Sequence, residues 1–271
     1  MEVCFDAVFL SFELMAMSKY KALITDYDGT LAETTYEGDL VLPSINVIES
    51  LVKARKFIRV NLATARPLIA IKPFLEICPL NGYVILVNGA QIVEVGNMKT
   101  VIKRTLNRQS LKTIVELCKD WEIEYVYANN FEKDIKIDNF EKLPDDDIAD
   151  VYFDGIDLKT AGGIEQKLKA VAEVAVHRIL LKDEGKIGLD VTNSKATKQV
   201  AIHEVAKLLG VTHDEMIGVG DGPNDMPLLM ACGLKVAMGN AVEELKDIAD
   251  FVASSVKEDG MVEVINKFVL G

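Results

Sequence analysis

Ala22-Leu23-Ile24-Thr25-Asp26-Tyr27-Asp28-Gly29-Thr30 is the stretch from which the rest of the chain is read. A short apolar run stops at two aspartates and a Gly-Thr. That pattern is a buried strand running into a loop. At the C-terminal edge of a parallel sheet, such a loop faces a ligand crevice. Asp26 and Asp28 stand two apart there, and carboxylates this close repel each other when both are ionised. A divalent, oxygen-seeking cation relieves the repulsion, and magnesium suits the pair. Gly29 lets the chain turn so that backbone N–H groups face an anion. Read alone, the five residues also fit a strand end with two turn aspartates.

Working outward, apolar spacing predicts a helix over 43–56, opened by Pro43-Ser44. A strand follows over 58–63, ending at Thr64-Ala65-Arg66, and Pro67 opens a helix to about 77. Residues 83–87 read as a strand halted by Asn88-Gly89. Strands alternating with helices imply a parallel sheet covered on both faces. The rhythm then changes. A hairpin is expected over 91–95 and 100–104 about Gly96-Asn97. Next come a helix over 110–120, a strand over 124–127 and acidic loop around 144–147. A helix over 162–174 and strands over 176–181 and 187–191 complete this α+β stretch. From Thr197 the first rhythm returns. A helix closes at Leu209-Gly210, and a strand over 216–219 ends at Gly220-Asp221-Gly222. Helix 223–230, strand 235–237, helix 242–248, strand 251–252 and helix 260–269 finish the chain. The expected architecture is an α/β, Rossmann-like core over 17–104 and 191–271, interrupted by an α+β module over 105–190. Residues 1–16 read as an N-terminal extension, because Met17 leads directly into the first strand.

The chain has 271 residues, with 42 acidic and 30 basic side chains and a formal charge of −12. That sign argues against non-specific nucleic-acid binding, which needs a basic footprint. It also means that an anionic substrate needs local positive charge, from a bound cation and a lysine. Cys4, Cys78, Cys118 and Cys232 form no C-x-x-C pair, so free thiols in a reducing, cytoplasmic setting are expected. The first sixteen residues carry no Lys or Arg, unlike a secretory signal. No apolar run reaches the roughly 20 residues that span a bilayer.

Gly220-Asp221-Gly222-Pro223-Asn224-Asp225 is a second acidic cluster at a strand end. Asp221 and Asp225 can both reach a metal at the sheet edge, and Asn224 adds a neutral amide. An N-capped helix is the plain alternative. The Thr64 hydroxyl, and N–H groups of the turn that holds Ala65, can bond a phosphate oxygen. With a metal in place, one carboxylate of the first pair can attack phosphorus while the other moves a proton. Lys195 and Lys198 both precede the helix that closes at Leu209-Gly210, and either could supply the positive charge.

Together D-Y-D-G-T-L at 26–31, L-A-T-A-R at 62–66, a lysine, and G-D-G-P-N-D at 220–225 resemble, in that order, the haloacid dehalogenase (HAD) superfamily of phosphohydrolases. The resemblance covers nearly the whole chain after Met17. It implies that Asp26 is a nucleophile forming an aspartyl-phosphate, and that Asp28 protonates the leaving alcohol and then activates water. It implies that Thr64 and a lysine hold phosphoryl oxygens, with Ala65, Gly29 and Asn224 alongside. Mg2+ would be bound by Asp26, the Asp28 carbonyl and Asp221, with Asp225 and Asn224 supporting. Asn88-Gly89-Ala90 and the inserted module resemble the Cof-like branch with its type IIB cap. In that branch a K-G-x-A-L lysine precedes the closing L-G, which places the lysine at Lys198. Gln199 stands where the Gly is usual, and Lys195 is the other candidate. Tyr125, Tyr127, Asn129, Asn130 and Phe131 could contact a sugar or a ring, or form a strand and polar turn. His177 and Arg178 are equally ambiguous, and His203 and His213 read as surface residues. The implied activity is hydrolysis of a small phosphorylated metabolite. A phosphomutase on the same scaffold and a phosphoacceptor signalling domain are the alternatives. Receivers of the latter kind are near half this length and lack a second acidic cluster of this form.

Overall fold

A strand points alternate residues to opposite faces, so a sheet covered on both sides needs apolar residues at every position. β1 (Ala22–Thr25) meets that demand. Ala22 and Ile24 join one buried cluster and Leu23 joins another, on the opposite face. The computed structural model describes residues 19–34, 39–78, 80–118, 123, 126–137, 147–181 and 185–271. The 1–16 extension, Tyr125 and the part 144–146 of the expected acidic loop lie outside them.

Among the described residues the strands continue as β2 (Arg59–Ala63), β3 (Tyr83–Leu86), β4 (Gln91–Glu94), β5 (Lys99–Lys103), β6 (Val126–Asn129), β7 (Asp134–Lys136), β8 (Asp150–Asp157), β9 (Val174–Leu180), β10 (Lys186–Asn193), β11 (Met216–Gly220), β12 (Leu234–Ala237) and β13 (Phe251–Val252). The α-helices are α1 (Ile45–Ala54), α2 (Leu68–Ile77), α3 (Arg108–Cys118), α4 (Leu158–Leu168), α5 (Lys198–Leu209), α6 (Met226–Met230), α7 (Glu243–Ile248) and α8 (Gly260–Ile265). One sheet has the order β13-β12-β11-β1-β2-β3-β4-β5. Its strands from β13 to β3 are parallel, while β4 and β5 add an antiparallel hairpin. Helices α1, α2 and α8 cover one face, and α5, α6 and α7 the other. This is the mixed α/β architecture that the sequence predicts.

The second sheet, β7-β6-β8-β10-β9, is antiparallel, and its strands all come from between β5 and α5. Here period two has a different outcome. Ala128, Val151, Phe153, Leu189 and Val191 pack under α3 and α4 in a third apolar cluster. Their neighbours Asn129, Asp150, Tyr152, Asp190 and Thr192 therefore share the opposite face. That face is polar yet largely buried, and Asp190 on it meets the large sheet at Asn88.

Two elements depart from the sequence reading. β8 reads Asp-Val-Tyr-Phe-Asp-Gly-Ile-Asp, and its aspartates look like loop until the buried polar face explains Asp150. The helix expected over 162–174 is α4, which starts earlier. The Asp157 carboxylate accepts the N–H groups of Lys159 and Thr160 and caps it, while Gly162 and Gly163 sit inside the helix.

Asn61 shows how tightly the parallel strands are stitched. Its side chain is fully buried, donates to the carbonyls of Leu23 and Arg59, and accepts the N–H of Tyr83 at 2.8 Å. Asn61→Ala takes away the acceptor of the Tyr83 N–H in the core. Urea unfolding of that variant is expected to show a loss of about 1–3 kcal/mol. A loss under about 0.5 kcal/mol, the range of a surface change, would contradict this account.

Candidate active site

At the C-terminal edge of the large sheet the alternation of β1 carries into its loop. The Asp26 N–H is pinned to the Val219 carbonyl at 2.9 Å. Tyr27 turns into the core, its ring 5.0 Å from Phe74 and its hydroxyl donating to the Val41 carbonyl. Asp26 and Asp28 flank it. The Tyr27 carbonyl accepts the N–H groups of Leu31 and Ala32, which curls the loop back on itself. Gly29 has φ +79, and a Cβ there would stand 2.1 Å from a carboxylate oxygen of Asp221. The close approach of two chain segments therefore requires glycine at this position.

β11 brings the second acidic cluster alongside. Carboxylate oxygens of Asp26, Asp221 and Asp225 lie within 4.8 Å of one another, and all three residues are buried. Lys198 joins them from the first turn of α5, whose N-terminus is capped by the Thr197 hydroxyl. Its Nζ donates to Asp26 at 2.6 Å and to Asp225 at 2.5 Å, and the residue is 1% exposed. Lys195 is exposed, so the structure brings Lys198 and not Lys195 to the cluster. The other oxygen of Asp225 accepts the N–H groups of Asp221 and Gly222, both at 3.0 Å. The Thr30 hydroxyl donates to Asp221 at 2.8 Å. Asn240 donates to the Gly29 carbonyl and to Asp221.

Burial, then the neighbouring Asp225, pushes the Asp26 carboxyl well above its ordinary range, against the pull of Lys198. The same two causes raise Asp221 to about 7. Burial alone would depress Lys198, but Asp225 and Asp26 raise it, so the ammonium stays charged. Three buried carboxylates around one ammonium leave net negative charge when all are ionised. Asp26 and Asp221 are hard oxygen donors of the kind a divalent cation takes. The cluster thus fits a metal by donor type and by charge. Asp225 fits less directly, because both of its oxygens already accept hydrogen bonds.

Thr64, 1% exposed, follows β2, and its hydroxyl accepts the Arg66 N–H. Ala65 sits in the bend between them. Arg66 forms a two-pronged ion pair with Asp28, Nε and Nη2 each 2.7 Å from a carboxylate oxygen. Asn224 donates to the side chain of Asn88 at 3.4 Å. Residues with no role in the sequence reading thus enter the site: Arg66, Thr30, Asn240 and Asn88. Arg66 sits inside the quoted L-A-T-A-R, and Asn240 follows Gly239, a pattern that reads only as a turn.

Other expected contacts resolve as structure. Asn129 accepts the Phe131 N–H and donates to Asp134, and Asn130 accepts the N–H groups of Glu132 and Lys133, so the amides build a turn. Arg178 pairs with Glu165 through two bonds. His177 is buried against the Thr192 hydroxyl, and its pKa is lowered to about 4 by burial and then by Lys198. His203 and His213 are exposed, as the sequence suggests.

The model of the haloacid dehalogenase-like hydrolase family matches residues 23–265. The chain belongs to that family. It is 25% identical over 256 residues to a phosphoglycolate phosphatase of Sulfolobus acidocaldarius, covering 93% of this chain and 97% of the relative. It is also 25% identical over 251 residues to a 5-amino-6-(5-phospho-D-ribitylamino)uracil phosphatase of Bacillus subtilis, covering 92% and 96%. Among solved structures, a haloacid dehalogenase-like hydrolase from Bacteroides thetaiotaomicron superposes with TM-score 0.73 at 22% identity, covering 92% of this chain and 99% of that one. A subclass IIB sugar phosphatase of the superfamily gives 0.76 at 22%, covering 92% and 98%. At these identities the solved structures speak to the fold. Among the described residues no helix is long and apolar enough to cross a membrane.

The raised acids give a direction for pH. Without metal, folded Asp221 holds its proton more tightly than the unfolded chain does. Its stabilising contribution is fully present below about 3.8 and is lost as pH rises through about 7. The melting temperature of the metal-free protein is expected to fall between about pH 5 and about pH 8. Magnesium chloride should raise it more at the higher pH, where cation and proton no longer compete. A magnesium effect that is absent, or larger at the lower pH, would contradict a metal site at these aspartates.

Proposed function

We propose that this hydrolase is a magnesium-dependent phosphatase of small phosphate monoesters, such as sugar or cofactor phosphates, working through an aspartyl-phosphate at Asp26. The observation that carries this reading is the Lys198 ammonium held between Asp26 and Asp225, with Asp221 beside them. An anion entering an acidic protein meets fixed positive charge at that point and next to a nucleophile. The two curated relatives act, by name, on phosphoglycolate and on a phosphoribitylamino uracil, both small phosphate esters.

In this reading Asp26 attacks phosphorus through a carboxylate oxygen. The bond from phosphorus to the leaving oxygen breaks, and Asp28 gives that oxygen its proton. Water then attacks the phosphoryl group and passes a proton to Asp28. The phosphorus–Asp26 bond breaks and phosphate leaves. Lys198, the Thr64 hydroxyl and the N–H of Ala65 hold the phosphoryl oxygens, with Gly29 and Asn224 at the rim. Asp26, the Asp28 carbonyl and Asp221 would hold Mg2+, and Asp225 supports them by holding Lys198. Bound there, the ion would supply positive charge for the phosphoryl oxygens and lower the cost of ionising Asp26. Asp28 has a further requirement. Both of its oxygens accept from Arg66, so proton transfer needs at least one of those bonds released.

The module over 105–190 is read as a type IIB cap that excludes water from the first step and selects the leaving group. The buried polar face of the second sheet, directed at Asn88, supports that placement. The scattered cysteines, of which Cys78 and Cys232 are free, favour a cytoplasmic setting.

Asp26→Asn is expected to abolish magnesium-dependent hydrolysis of p-nitrophenyl phosphate. Lys198→Met should lower kcat by about a hundredfold or more. Full activity of the Asp26 variant, or of the wild type in excess chelator, would overturn the mechanism.

A further inference from the structure

The end of β3 is held in a conformation that L-residues avoid. Val87 has φ 49 and Asn88 has φ 51, two consecutive non-glycine residues in the left-handed region. The first of them is β-branched, where the clash is worst. Such a conformation persists only where the surroundings over-determine it. Here they do. The Val87 N–H donates to the Arg66 carbonyl and the Asn88 N–H donates to the Thr64 carbonyl. Gly89 follows with φ +117, and a Cβ on it would stand 2.5 Å from the Thr197 carbonyl oxygen. The turn therefore rests on the Thr64–Arg66 segment on one side. On the other it rests on the N-cap of α5, one residue before Lys198.

The product of this strain is the position of the Asn88 side chain, which is fully buried with both amide atoms engaged. Its Nδ2 donates to Asp190 at 2.5 Å, on the polar face of the second sheet. Its Oδ1 accepts from Asn224 at 3.4 Å, the residue before Asp225. Asp190 lies on β10, and the same chain runs on through Thr192, whose hydroxyl donates to the Ala196 carbonyl, to Lys198. Lys198 donates to Asp225. A closed ring results: Asp190, Asn88, Asn224, Asp225, Lys198 and back along the chain to Asp190. The ring joins the two sheets at one point, beside the carboxylate cluster.

We propose that Asn88 is a positioning residue that ties the second sheet, through Asp190, to the Asn224 end of the cluster and so sets Lys198 against Asp26. This rests on the phosphatase reading for its kinetic consequence, but not for the bridge itself. Asp150, on the neighbouring strand β8, completes the arrangement. Burial and then the adjoining Asp190 raise its carboxyl, and Asp190 accepts from Asn88.

The test reverses the bridge. Asn88→Asp sets two carboxylates face to face. Adding Asp190→Asn restores a donor and an acceptor with their places exchanged, and an aspartate at 88 still accepts from Asn224. With p-nitrophenyl phosphate and magnesium, Asn88→Asp is expected to lower kcat about tenfold or more while KM shifts less than about threefold. The exchanged pair should return kcat to within about threefold of wild type, and melting temperature should follow the same order. If Asn88→Asp does not fold, Asn88→Gly, which relieves the left-handed backbone while removing the bridge, takes its place as the deficient variant. Melting restored without kcat would make the bridge structural only and overturn the positioning role. An exchanged pair no better than Asn88→Asp in either measure, or one that does not fold, would overturn the bridge. A wild-type protein without phosphatase activity would sink the functional reading and the kinetic role together, and melting would still decide the bridge.

Discussion

A buried ammonium is the constraint on which the rest of this structure depends. Lys198 is 1% exposed, and a lone charge in such a place costs several kcal/mol unless it is fully paired. Asp26 and Asp225 pair it at short range. Those partners come from the ends of β1 and β11, neighbours at the centre of the large sheet, while Lys198 comes from α5 on its flank. The fold thus brings three distant chain segments to one spot, and the two ion pairs of Lys198 hold them there. Removing Lys198 leaves two buried carboxylates without the cation they share.

The same constraint explains the shape of the surroundings. Asp225 spends its second oxygen on the N–H groups of Asp221 and Gly222, so the loop after β11 is fixed by the side chain that holds Lys198. Asp221 presses against Gly29 so closely that no side chain fits there. Thr30 and Asn240 donate to Asp221 and set its direction. The raised carboxyls of Asp26 and Asp221 record what remains unbalanced, and a cation is the simplest partner for it. The chemistry proposed for Asp26 draws on this stored imbalance.

The large sheet and the carboxylate cluster were legible in the sequence because each of their signals is local. An apolar run ending in Asp26-Tyr27-Asp28-Gly29-Thr30 carries strand, turn and acid together. Gly220–Asp225 repeats that form at β11. Lys198 was legible only through family resemblance, since one lysine near a helix start has no local mark. Other features depend on partners far along the chain. β8 hides its period behind Asp150 and Asp154, because the face that bears Asp150 is polar and buried. Asp157 was not legible as a cap, because Gly162-Gly163 reads more strongly as a break. Arg66, Asn240 and Asp190 acquire meaning only from Asp28, Asp221 and Asn88, each many residues away.

Covalent capture tests the central claim most directly. The Asp28→Asn variant keeps the proposed nucleophile Asp26 but loses the group proposed to activate water. Incubated with magnesium and a reactive phosphoryl donor such as acetyl phosphate, quenched in acid and digested, it should carry one phosphoryl group on the peptide that contains Asp26. That label should be released by hydroxylamine and absent when Asp26 is also changed to Asn. A phosphoryl group on another residue, or none in a variant whose wild-type parent turns over, would contradict the account.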